Sequence, residues 1–224
     1  MRKVFSKPWF LILVLAQLIS AIIAIATDIF IFKIGVAAIG TIILLIAYSK
    51  KIMKVLDVWV VILAFICSMI GDYFLSNMNE DNSMFMIGIS LYLLAHIGYL
   101  IFSLLNGSIK RGITIGILLV FLVFYYSTLY SYITDMSLAY VVLFYLVVSC
   151  VSLGAAFGIK AAAQVKWPYV VGIASILFSD TIISFKEFMN YNSLNILILP
   201  TYYLAQICIT IALYTKNRMC LIED

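Results

Sequence analysis

Eight runs of about twenty mostly apolar residues follow one another along the chain, and no other feature constrains the fold as strongly. They fall near 9–26, 29–49, 56–76, 84–105, 113–131, 137–158, 167–186 and 194–214. Each is long enough to cross a bilayer as a helix, and a backbone in lipid satisfies its polar groups only inside helices or closed barrels. The connections are short and leave no room for an inserted soluble domain. The expectation is an all-α polytopic membrane protein, a single domain over residues 1–224 with eight transmembrane helices. Composition agrees: 66% of residues are hydrophobic and 11% charged, against about 25% charged in a soluble domain. An ordinary soluble domain, a disordered chain and a disulfide scaffold are excluded. The net charge of +4 contains no basic cluster, so nucleic acid is not an expected partner. Cys67, Cys150, Cys208 and Cys220 lie far apart without a CxxC and read as packing residues rather than a zinc set.

Charge orients the bundle. With both termini in the cytoplasm, 12 basic residues fall on the cytoplasmic side and only two, Lys33 and Lys186, on the other. Trp9, Trp59 and Trp167 then open three outward-running helices at the cytoplasmic interface, where indoles prefer to sit. An even number of spans with both ends inside fits this arrangement, and in a bacterium the location would be the cell membrane. A rival reading takes Arg2, Lys3 and Lys7 followed by an apolar run and Ala24-Ile25-Ala26 as a signal peptide. The length of that run favours a membrane span.

Ionisable groups at membrane depth cost about 2.5–3.5 kcal/mol each on insertion scales, so each asks for a reason. Asp72, His96 and Asp180 are such groups, and the uncharged Gln206 joins them. Ser68, Asp72 and Ser76 share one helix face, as do Asp180 and Ser184. Both carboxylates lie roughly 20–25 Å from the cytoplasmic end at 1.5 Å per residue, in the outer half of the bilayer. Tyr92, His96, Tyr99 and Ser103 form one polar stripe; Tyr202, Tyr203, Gln206 and Thr210 form another. The bland alternatives are that the acids snorkel to the surface and that the stripes only hydrogen-bond across helices. The spacing from Asp72 to His96 is 24 residues and from Asp180 to Gln206 is 26, in spans that run the same way. This suggests two parallel four-helix repeats, 1–106 and 107–224, whose axis would bring the two acids face to face.

Two carboxylates in one low-dielectric cleft can divide into an acid and a base. That is the equipment for hydrolysing an acetal-like or enol ether bond through an oxocarbenium-like species. A metal site from Asp72, Asp180 and His96 is the competing use. It offers only one imidazole, so no metal or other cofactor is expected.

At these residues the chain resembles the YhhN-type family of membrane proteins, which includes the animal lysoplasmalogenases. Gly71-Asp72 with Leu75 resembles its first acidic motif. Gly88, then Leu94-Ala95-His96-Ile97-Gly98-Tyr99 with Phe102, resembles its Gly…AH…Y…F stretch. Gly172, then Leu177-Phe178-Ser179-Asp180 with Phe188, resembles its second acidic motif, and Tyr202-Tyr203-Leu204-Ala205-Gln206 its final YYxAQ. Departures occur where Ile34 rather than proline follows Lys33, and where Tyr145 to Phe157 keeps the tyrosine but has no arginine. The resemblance implies hydrolysis of the vinyl ether bond of a lysophospholipid, lysoplasmalogen, to a fatty aldehyde and a glycerophospho-ethanolamine or -choline. It implies Asp72 and Asp180 as catalytic acid and base, in an order that the residues leave open. His96, Tyr99, Ser179, Tyr202, Tyr203 and Gln206 are implied as supporting or substrate-binding residues, and Lys33 as a headgroup contact. A reading from another class is a proton-coupled transporter of a small solute or lipid using the same intramembrane acids.

Overall fold

The computed structural model describes residues 7–49, 55–78 and 82–223. Among the described residues it is all-helical, with eight helices long and apolar enough to cross a membrane. These spans are built on α1 (Pro8–Thr27), α2 (Phe30–Tyr48), α3 (Leu56–Ser76), α4 (Asn82–Leu105), α5 (Arg111–Phe124, its span reaching Tyr132), α6 (Met136–Ala156), α7 (Ala163–Met189) and α8 (Ile198–Glu223). Short connections make consecutive helices hairpins. One end of the bundle, here the upper end, therefore carries the α1–α2, α3–α4, α5–α6 and α7–α8 turns. Lys33 and Lys186 lie toward that end, while Lys110, Arg111, Lys160, Lys166, Lys216 and Arg218 lie at the lower one.

Local chemistry sets the boundaries. Pro8 stands at the start of α1, where a missing N–H costs nothing. Asp28 stops α1 with φ 58°, a left-handed cap whose N–H returns to the Ala24 carbonyl, and α2 begins two residues later. Asp135 caps α6 by accepting from the Ser137 N–H at 2.8 Å. Asn190 closes α7 with φ 53°. The fifth span does not stay α-helical: it continues from α5 as a π-helical turn over Tyr125–Leu129 and a 3-10 turn over Tyr130–Tyr132. The last helix outruns its apolar stretch, from the expected 214 to Glu223. Its polar extension finds partners: Lys216 pairs with Asp57 on α3, and Asn217 donates to the Ala47 carbonyl at 2.7 Å.

Packing pairs α3 with α4 and α7 with α8, and the main core lies between these pairs, α2 and α6. Phe65, Tyr99, Phe102, Tyr169 and Ile173 are fully buried there. The first two helices are hooked together by polar groups, Gln17 to the Val36 carbonyl at 2.8 Å and Ser20 to the Phe32 carbonyl at 2.9 Å. At the lower end the α4–α5 and α6–α7 connections pair with each other: Ser108 donates to the Gly158 carbonyl and Lys160 to that of Asn106.

Candidate functional site

Asp72 is the seventeenth residue of α3, four residues short of its upper end, on a face that turns inward. Its Oδ1 accepts a short hydrogen bond from the Tyr92 hydroxyl on α4, and its Oδ2 lies 3.3 Å from the Tyr202 hydroxyl on α8. Asp180 occupies the corresponding part of α7. Its Oδ2 accepts from the Tyr145 hydroxyl on α6 at 2.6 Å and faces His96 Nε2 on α4 at 3.0 Å. Each carboxylate is thus held by one side chain from residues 1–106 and one from 107–224. The His96 contact is a donated hydrogen bond when Nε2 carries the proton; Nδ1 is buried with no partner among the described residues.

Both aspartates line one cavity of about 370 Å³ near the upper end. Tyr92, Ser179, Tyr202 and Tyr203 share its wall. Its charged rim is built from two ion pairs, Lys33–Asp28 and Lys186–Glu187, each at 2.8 Å. Thus the only two basic residues assigned from sequence to this side both line the cavity that holds the acids. At Leu75, Tyr92, Asp180 and Ile183 the cavity meets an apolar slot of about 60 Å³, walled further by Phe85, Val142 and Phe188. A second apolar slot of about 50 Å³ reaches Asp180 and Tyr145 from the α5 side, past Phe124 and Leu129. The whole is a polar chamber with apolar extensions, and Asp180 stands at the boundary.

Of the residues singled out from sequence, Asp72, Asp180, Lys33, Ser179, Tyr202 and Tyr203 line the chamber. His96 sits behind Asp180 rather than in the wall. Ser179 is tied to the Ile198 carbonyl at 3.1 Å, which anchors α7 to the start of α8. Tyr99 and Gln206 reach neither carboxylate; Tyr99 gives its carbonyl to the Tyr169 hydroxyl at 2.7 Å, and Gln206 is wholly buried deeper along α8. Tyr92 and Tyr145 are the partners that sequence reasoning undervalued. Tyr92 belongs to the His96 stripe. Tyr145 begins a sparse polar line with Ser149 and Ser152 on α6, a signal too weak to stand out in an apolar span. Among the described residues, no three His, Cys, Asp or Glu side chains gather into a metal-holding cluster.

The YhhN family profile matches residues 32–213. The chain belongs to the YhhN family. The match runs from near the start of α2 through most of α8, and every side chain that holds the two aspartates falls inside it. Of the helices, α1, Phe30 and Ile31 of α2 and the end of α8 lie outside. No match to this YhhN protein was found among curated proteins or among solved structures.

Proposed function

We propose that this YhhN protein is a membrane-embedded hydrolase that cleaves the vinyl ether bond of a lysoplasmalogen by acid–base catalysis with Asp72 and Asp180. The observation that carries this reading is two carboxylates on one chamber whose polar part opens onto apolar slots at Asp180. A single-chain lipid has that shape, with its headgroup in the chamber, its alkyl chain in a slot and its ether linkage at the boundary. One aspartic acid protonates the vinyl carbon, which leaves an oxocarbenium ion. The other carboxylate takes a proton from water as the water adds. The resulting hemiacetal collapses to a fatty aldehyde and an alcohol. Lys33 and Lys186 at the rim suit the phosphate of the headgroup. In the orientation expected from the bias of basic residues, the rim faces the non-cytoplasmic side, and substrate is drawn from that half of the membrane.

Purified protein incubated with lysoplasmenyl-ethanolamine is expected to release free aldehyde. A carrier would move the lipid and release none, so the absence of aldehyde from folded protein would overturn the proposal. Tyr145→Phe is expected to lower turnover about tenfold to a hundredfold, because it removes the shorter of the two hydrogen bonds to Asp180 while keeping the ring. Rates from the variant and wild type, measured at equal thermal stability, check this.

A further inference from the structure

Behind the chamber several buried polar groups are left unmatched. Gln206 is fully buried, and neither its amide nitrogen nor its oxygen has a partner among the described residues. Gln17 donates to the Val36 carbonyl, but its Oε1 is unpartnered, as is the hydroxyl of Tyr203. Gln17 is 0% and Tyr203 1% exposed. An amide buried without a hydrogen bond costs several kcal/mol, so these atoms call for a polar occupant.

Gln17 stands on α1 and Tyr203 and Gln206 on α8, and these two helices pack on each other and on α2 along one seam. Ala21 and Ala24 of α1 and Val36 of α2 pack against Tyr202, Tyr203 and Ile207 of α8. One turn deeper, a Cβ on Gly40 would lie 2.7 Å from Thr210 Oγ1 and 3.0 Å from both Gln17 Nε2 and the Phe65 ring. The bare glycine is what lets α2 close over polar groups from both neighbours. At its upper end the seam reaches Tyr203, which lines the chamber with Asp72.

We infer that Gln17, Gln206 and Tyr203 hold buried water between α1, α2 and α8, and that this water supplies the hydrolytic step at Asp72. The water site stands on the unmatched atoms; its use in hydrolysis rests on the function proposed above. A buried water makes about three hydrogen bonds, and these atoms offer both donors and acceptors. The chamber is asymmetric in the complementary sense: both apolar slots run along Asp180, and Asp72 lines neither. Lipid chain on one side and water on the other divides the roles. Asp180 gives its proton to the vinyl carbon, forming the new C–H bond. Water adds its oxygen to the oxocarbenium carbon and loses a proton to Asp72. Asp72 returns that proton to the glycerol oxygen as the C–O bond breaks, and the hemiacetal hydroxyl proton goes to Asp180, which restores both groups. Gln17 lies on α1, outside the residues matched by the family profile. It acts as a positioning residue.

X-ray-generated hydroxyl labelling of the protein in lipid nanodiscs tests this, because buried water labels the side chains beside it. Phe65 and Tyr169 are both 0% exposed, and only Phe65 borders the seam. Phe65 is expected to label at least about fivefold faster than Tyr169. In the Gln17→Leu, Gln206→Leu double variant it should fall to the Tyr169 rate. The single Gln17→Leu variant should lower kcat about tenfold, the equivalent of one lost hydrogen bond, with KM unchanged. Equal rates for Phe65 and Tyr169 in the wild type, or labelling that survives the double change, overturn the water site. Lost labelling with unchanged kcat overturns the supply role. Labelling as expected in a wild type that releases no aldehyde supports the water site and removes the hydrolase reading alone.

Discussion

Asp72→Asn and Asp180→Asn are each expected to cut aldehyde release by a thousandfold or more, roughly the upper range for removing a positioned acid or base. Both should fail because the two groups act in sequence. Without the acid the vinyl carbon is not protonated, and without the base the water is not activated. The fold should survive. Asparagine keeps the shape of aspartate, and the partners of both residues are tyrosine hydroxyls and an imidazole, which can reorient or exchange donor and acceptor roles. Replacing the ionised Asp72 by a neutral amide at membrane depth also removes a solvation cost. Melting curves and gel-filtration profiles close to wild type, together with lost turnover, are the expected pair of results. Normal turnover in either variant would sink the two-carboxylate mechanism. Asp57 serves as the contrast: it is paired with Lys216 at the lower end, accepts from Asn106 at 2.9 Å, and lines no part of the chamber.

The second large effect concerns stability. Gly158→Val is expected to destabilise the protein by about 3 kcal/mol, the upper part of the range for overpacking. A Cβ at this position would run into the carbonyl of Ser108, and a Cβ at Gly107 would run into that of Gly158. These obstacles are backbone atoms, so no side chain can rotate out of the way. Relief would separate the two connections and break the bonds from Ser108 to Gly158 at 3.3 Å and from Lys160 to Asn106 at 2.9 Å. Gly112→Ala is the control. A Cβ there meets nothing within 4 Å, and alanine gains up to about 1 kcal/mol of helix propensity over glycine. Thermal unfolding in detergent should show a marked drop for the first and no loss for the second.

Much of this architecture was legible because lipid leaves a chain few choices. A run of twenty apolar residues in a bilayer must be a helix, so eight runs mean eight helices, and the third span matches α3 at both ends. The rarity of charge at depth also singles out Asp72, His96 and Asp180. Hydropathy fails where helices leave lipid, because there the backbone is held by specific partners rather than by the solvent. The last helix runs on to Glu223 because Lys216 finds Asp57, and the fifth span ends in π and 3-10 turns that no apolar count reveals.

Sequence by itself therefore determined the number of helices and which costly residues lie inside them, since both follow from transfer energies along one chain. Only the tertiary structure decided who meets whom. It set Tyr145 and His96 on Asp180, and Tyr92 and Tyr202 on Asp72; it kept Tyr99 and Gln206 away from both; and it closed α1 over the seam behind Tyr203. Those pairings depend on how each helix is rotated against its neighbours. In lipid that rotation is set by close packing and interhelical hydrogen bonds rather than by a hydrophobic face, so periodicity along a single span carries little record of it.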